Sequence, residues 1–220
     1  MISSGLPKTS KKYVEISMAV GSNFINATST SIATNETFVK NFKDKKLIVV
    51  GDDLMSQFGG TAFYKGIMNL IHERGIRINK SYQLDVGGGI ETNNTLDENL
   101  RALKRKIKSN TIESELPYDL QTVSGTTDYV DFMGNSRTNY FWIEGDLFLG
   151  SKIRFDIYLR STDGPNAGGL LFDIIRGIQY SQDINEYGNI EELSNFGFKS
   201  TLTKNELRQS YHNFSKKYVL

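Results

Sequence analysis

Two adjacent carboxylates, Asp52 and Asp53, follow Gly51 at the end of the apolar run Leu47-Ile48-Val49-Val50. The chain then passes Ser56, Gln57, Gly59, Gly60 and Thr61 into an amphipathic segment. Neighbouring carboxylates disturb each other's protonation and so suggest chemistry. A strand that ends in small polar residues and feeds a helix leaves backbone N–H groups and a helix dipole at one point, which suits a phosphate or another anion. The same residues also make an ordinary strand–loop–helix corner with a polar turn. Further on, Gly87-Gly88-Gly89 lets the backbone approach a ligand closely, or serves a plain turn. Lys104 and Lys108 stand four apart, so on a helix both ammonium groups share a face; with Arg105 and Lys106 beside them, the everyday reading is a solvated surface. His72 has no second His, Cys or paired carboxylate at ligand spacing, and His212 sits in a terminal helical segment; neither is assigned a role, and no metal is expected.

Alternating helix and apolar strand must position these groups. Thr9 to Val20 reads as a helix with Tyr13, Ile16, Ala19 and Val20 on one side and Gly21 as its stop, preceded by the tail of a strand over 1–7. Asn23 to Ala27 reads as a short strand, Asn35 to Phe42 as a helix, and Leu47 to Val50 as a strand buried on both faces. Phe63, Ile67, Leu70 and Ile71 mark the next helix, ending at Gly75; Arg77 to Val86 follows as a strand, and Leu96 to about Ile112 as a charged helix. From Asp128 the character changes. Asn139 to Leu149 is strand-like, and Ile153, Phe155, Ile157 and Leu159 alternate with polar residues, giving an antiparallel hairpin turning at Gly150-Ser151. Asp163-Gly164-Pro165-Asn166 reads as a tight loop opening a long helix, and Thr203 with Glu206 as a capping box for the last one.

At 220 residues with a formal net charge of +1, the chain has no global attraction to nucleic acid or to a membrane surface. It carries no cysteine, which excludes disulfides, thiolate zinc sites and a cysteine nucleophile and makes a reducing cytoplasm the default location. No Gly-x-Gly-x-x-Gly turn follows a first strand, and the opening strands of a doubly wound sheet are missing.

Five motifs in register resemble the inositol-phosphate synthases of the short archaeal and actinobacterial type: Gly51-Asp52-Asp53-Leu54-Met55-Ser56-Gln57, Tyr82-Gln83-Leu84-Asp85-Val86-Gly87-Gly88, the Lys104 to Lys108 helix, Asp163-Gly164-Pro165-Asn166-Ala167-Gly168, and Phe198-Lys199-Ser200. The resemblance implies an α/β (α+β) fold: the remnant of a doubly wound parallel dinucleotide-binding sheet joined to a large open mixed or antiparallel sheet with helices on one face. It implies an incomplete Rossmann-like part over 1–56, a catalytic and oligomerisation sheet over 57–182, and a segment over 183–220 that returns to the first part. The implied activity is an NAD-dependent isomerase that converts glucose 6-phosphate to inositol 1(3)-phosphate by oxidation, enolisation, aldol closure and reduction. Implied partners are the sugar phosphate, a homo-oligomer (a tetramer) and a separate NAD-binding subunit, with no nucleic acid and no membrane.

Carried over by position, Lys104, Lys108, Arg137, Asp163 and Lys199 are the candidate catalytic residues. Ser56, Gln57, Gly59, Gly60 and Thr61 are the substrate-binding ones, and Asp52, Asp53, Asp85, Gly87 and Gly88 the cofactor-side ones. A one-residue gap would match Arg105 and Ser109 in place of Lys104 and Lys108. The chain departs from the family in carrying Arg137 for a lysine, Asp85 for an asparagine and Met55 for a lysine; Arg137 keeps the charge but cannot give up a proton. These departures keep a second reading open, a non-catalytic oligomerising or sugar-phosphate-binding relative. A nucleic-acid binder using the Lys104 to Lys108 helix is disfavoured by the near-neutral charge.

Overall fold

The computed structural model describes residues 7–203 and 206–219. The chain divides into two units, Met1–Met55 with Ala167–Leu220, and Ser56–Asn166. The strand tail read at the N-terminus lies largely outside the described residues, and Pro7 already opens a helix.

In the first unit α1 (Pro7–Val20) leads to β1 (Phe24–Asn26), α2 (Glu36–Asp44) and β2 (Ile48–Gly51). Every residue of β2 is buried, as its apolar run requires of a strand covered on both sides. Ile48 and Val50 enter a core with Leu170, Ile174, Leu193 and Phe198, while Leu47 and Val49 enter another with Val14, Phe24, Ile32 and Phe42. Period-two alternation thus serves helices on two faces of a parallel sheet. α1 is turned relative to the sequence reading. Ser10, Val14 and Ser17 are its buried residues, whereas Tyr13, Ile16 and Val20 are exposed. Ser10 meets the Thr28 hydroxyl at 3.3 Å, and Ser17 donates to the Ser22 carbonyl at 2.6 Å, so small hydroxyl residues make the close approach.

The second unit contains α3 (Gly60–Glu73), β3 (Arg77–Gly87), α4 (Ile90–Asn94), α5 (Glu98–Glu113), β4 (Gln121–Tyr129), β5 (Ser136–Asp146) and β6 (Lys152–Thr162). Its sheet runs β4-β3-β5-β6, with β3 parallel to β4 and the other two pairings antiparallel. Tyr64, Met68, Ile71, Ile112 and Leu116 pack on Ile78, Phe141 and Ile143. On alternate strand positions Tyr82 stacks on Trp142 at 13° between ring planes, and Tyr140 packs against Tyr158, which is exposed. The charged helix begins later than read, because Asp97 accepts from the N–H groups of Asn99 and Leu100 and starts α5 at Glu98. β4, rich in Ser, Thr and Gly, was not legible as a strand.

α6 (Asp163–Asp183) starts at Asp163, so Asp163-Gly164-Pro165-Asn166 is its first turn rather than a preceding loop; proline is tolerated there because first-turn N–H groups have no partner in the helix. β7 (Gly188–Asn189) completes the first unit's parallel sheet in the order β1-β2-β7, followed by α7 (Glu191–Gly197) and α8 (Leu207–Tyr218). The capping box is not formed. Glu206 is the residue that precedes α8, and the Thr203 hydroxyl donates to Glu191 and accepts from Asn195.

Candidate active site

Asp52 and Asp53 have divergent fates within the first unit. The Asp52 carboxylate is buried and accepts from the N–H groups of Ile32, Ala33 and Thr34, the Thr34 hydroxyl and the Asn26 amide. Burial raises its pKa above the ordinary carboxylate value, and the bonds from Asn26, Ala33, Thr34 and Ile32 pull partly back. This is a structural anion that shapes the turn over 31–34. Asp53 adopts the left-handed region at φ 59°, uncommon for a non-glycine residue, and its carboxylate accepts from Lys199 Nζ at 3.0 Å. Backbone pairing fixes this geometry: Lys199 N donates to the Asp53 carbonyl, Asp52 and Ser200 exchange N–H bonds, and Met55 N donates to the Gly197 carbonyl. Lys199 and Asp53 therefore form a pair in the first unit.

The second unit gathers the other candidates at one end of β3. Gln83 and Asp85, two apart, share the buried face of that strand. Asp85 accepts from Lys108 Nζ, from Gln83 Nε2 at 2.7 Å, and has Arg137 Nη1 at 3.7 Å. Arg137 Nε donates to Asp163 at 2.8 Å and its Nη2 to the Thr92 hydroxyl at 3.2 Å. Burial pulls the Arg137 guanidinium down, but Asp163 and Asp85 outweigh it and hold it above its ordinary value. Lys104 pairs with Glu91 on α4. The pair Arg105 and Ser109, the alternative register, faces elsewhere: Arg105 lies over Gly125, and Ser109 accepts from Ser124 N, both on β4.

α3 starts beside this cluster. Its first residue is preceded by Gly59, which supplies no side-chain cap, so the first-turn N–H groups are available to an anion. A Cβ at Gly60 would fall 2.4 Å from Gln83 Nε2 and 2.5 Å from Asn139 Oδ1, so glycine is needed for the helix start to press against these amides. Asn139 is fully buried, accepts from Gln83, and keeps its Nδ2 donor without a partner among the described residues. Thr61 is buried in the first turn, and Gln57 N bonds the Asn166 carbonyl. Gln83, Thr92, Glu91 and Asn139 were missed by the sequence reading. Polar residues at Gln83 and Asn139, on the strand faces that elsewhere carry Phe141, Ile143 and Ile78, were the available signal.

The residues that the resemblance assigns to NAD each have partners within the fold. Asp52 is committed to its turn, Asp53 to Lys199 and Asp85 to Lys108. At Gly87 a Cβ would meet Thr92 at 2.9 Å, and at Gly88 it would meet the Gly134 backbone at 2.4 Å, so both glycines serve internal packing.

A three-stranded parallel sheet, and a four-stranded mixed sheet with an uncapped helix start beside a paired cluster of cations and carboxylates, define an α/β protein. Residues 59–164 match the family model for myo-inositol-1-phosphate synthase. The inositol-3-phosphate synthase of Corynebacterium glutamicum is 29% identical over 204 residues, 89% of this chain and 56% of that protein. That of Mycobacterium tuberculosis is 27% identical over 199 residues, again 89% of this chain and 54% of that protein. The chain is thus similar to the inositol-phosphate synthases over most of its length, and it spans about half the length of the curated relatives it matches. In fold it is similar to a myo-inositol-1-phosphate synthase-related protein from Thermotoga maritima, with a TM-score of 0.84 at 23% identity, over 94% of this chain and 56% of that one. The Caenorhabditis elegans inositol-3-phosphate synthase gives 0.77 at 17% identity, over 93% of this chain and 44% of that one. Among the described residues no helix is long and apolar enough to cross a membrane.

Proposed function

We propose that this chain handles the sugar phosphate in an inositol-3-phosphate synthase-type isomerisation of glucose 6-phosphate, with NAD held by residues of a separate subunit or of a longer chain. The phosphate dianion takes the start of α3, where the N–H groups of the Gly60-Thr61 turn, the Thr61 hydroxyl and Ser56 offer donors. Lys108 and Arg137 supply positive charge to the reacting oxygens, which become more negative as an enolate forms. Lys104 and Asp163 hold that charge in place through Glu91 and Arg137. Lys199, paired with Asp53, is the proton-handling candidate. Assembly into a homo-oligomer through the half-exposed aromatic face of the four-stranded sheet belongs to the same reading. The observation that carries it is the coincidence, at one end and on one face of β3, of the uncapped α3 start with the Lys108–Asp85–Arg137–Asp163 chain.

The test is to incubate the chain with glucose 6-phosphate and NAD, alone and with the N-terminal half of the Corynebacterium glutamicum relative, and to assay inositol phosphate by mass spectrometry. Product that disappears in a Lys199→Ala variant supports the reading; no product in either mixture abandons catalysis by this chain. The pairing of every cation in the cluster with a carboxylate favours a second reading, a non-catalytic sugar-phosphate-binding relative. Calorimetric binding of glucose 6-phosphate without turnover would select it.

A further inference from the structure

The cluster at the end of β3 is electrically self-contained. Lys104 faces Glu91, Arg137 faces Asp163, and Lys108 faces Asp85, so three cations meet three carboxylates and their formal charges cancel. Asp85 is the centre of the arrangement. It is 1% exposed, it bonds Lys108, it lies 3.7 Å from Arg137, and it also accepts from Gln83. Lys108 and Arg137 are themselves only 12% and 15% exposed. In so dry a setting a carboxylate between two cations is a strong competitor for any other anion, because charge–charge interactions are weakly screened there. By contrast the donors at the start of α3, among the described residues, are the backbone N–H groups of a first turn without a side-chain cap, with the partnerless Asn139 Nδ2 beside them.

We propose that Asp85 is a built-in counter-anion that determines specificity. It reserves Lys108 and Arg137 for an uncharged oxygen of the ligand, a hydroxyl or carbonyl that can accept from them without displacing a carboxylate, and it excludes a phosphate or carboxylate group from this half of the site. A ligand with one anionic end and one polyol end then binds in a single direction, anion on α3 and hydroxyls on the cluster. The inference rests on the reading of the β3 end as a sugar-phosphate site, but its test does not read turnover or sugar binding.

The probe is inorganic phosphate, titrated calorimetrically into the full chain and into Asp85→Asn, which keeps the shape and removes the charge. Asp85→Asn is expected to bind phosphate at least about tenfold more tightly than the parent chain. That gain is expected to vanish when Lys108→Met is added. Equal affinity in parent and variant, or a gain that survives Lys108→Met, overturns the assignment. Should Asp85→Asn fail to fold by circular dichroism, the parent chain still decides the matter. Its Arg137 Nε–H resonance is expected to stay fixed up to saturating phosphate, and a shift that tracks the binding isotherm overturns the proposal. Either result stands whether or not the chain makes inositol phosphate.

Discussion

Lys65 and Glu115 form an ion pair at 2.9 Å in which both side chains have zero exposure, and Asn69 Nδ2 adds a bond to the same carboxylate at 3.2 Å. Lys65 lies on α3 and Glu115 just after α5, so the pair ties the helix that starts at Gly60 to the helix that carries Lys108. Removing one partner strands a charge in the core, which costs about 3–5 kcal/mol, a large part of a domain's net stability. Replacing both by apolar groups of similar volume returns most of that, because the desolvation of both ions is removed together. Lys65→Met is therefore expected to lower the urea midpoint of the second unit by about 2 M, given a slope of about 2 kcal/mol per molar. Lys65→Met with Glu115→Leu is expected to recover at least half of the loss. Urea unfolding, with amide hydrogen exchange in α3 and α5 as the local readout, measures both. A single variant that loses less than about 1 kcal/mol, or a double variant no better than the single, refutes the reasoning.

Gly60→Ala is expected to destabilise the second unit by about 1–3 kcal/mol and to weaken glucose 6-phosphate binding, since its Cβ would collide with Gln83 and Asn139; thermal melting and calorimetry check both. Lys199→Ala is expected to cost about 1–3 kcal/mol by leaving Asp53 unpaired, while the backbone pairing of Asp53 with Lys199 persists and the variant still melts cooperatively. Burial pulls Lys217 down, but Glu186 and Glu192 outweigh it and raise its pKa above the ordinary 10.5. A raised lysine stabilises the fold below its unfolded pKa and loses that contribution as pH rises through the folded one. Lys217→Met is thus expected to cost less than about 1 kcal/mol at pH 8 and nothing once the pH exceeds the raised value, as read by urea midpoints across that range.

The placement of several strands was legible because burial imposes simple periods. Leu47 to Val50 suits a doubly covered strand, and Phe141, Ile143, Ile153, Phe155 and Ile157 alternate as a one-sided sheet demands. β4 escaped because Gly125 and its Ser and Thr neighbours are selected by contact with Arg105 and by bonds such as Ser124 Oγ to Gln83, not by hydrophobicity. α1 was read with the wrong face inward, since Ser10 and Ser17 bury by hydrogen bonding while Tyr13 and Ile16 stay out. In the site, the spacing of Lys104 and Lys108 placed both on one helix face, but nothing in the spacing said that they would end on different carboxylates, Glu91 and Asp85. Partner choice depends on which loop or strand arrives opposite a side chain, and that is set by tertiary packing. The adjacent pair Asp52-Asp53 makes the same point: one is a turn's internal anion, the next a lysine's counterion.

The single tryptophan, Trp142, lies on β5 with its indole laid flat against Tyr82. Its emission reports the disassembly of the mixed sheet alone and is silent about the parallel sheet of the other unit. A denaturation curve followed by fluorescence and one followed by helix signal will coincide only if the two halves of this chain come apart in a single event. The molecule therefore carries its own dye for deciding whether it melts as one body or as two.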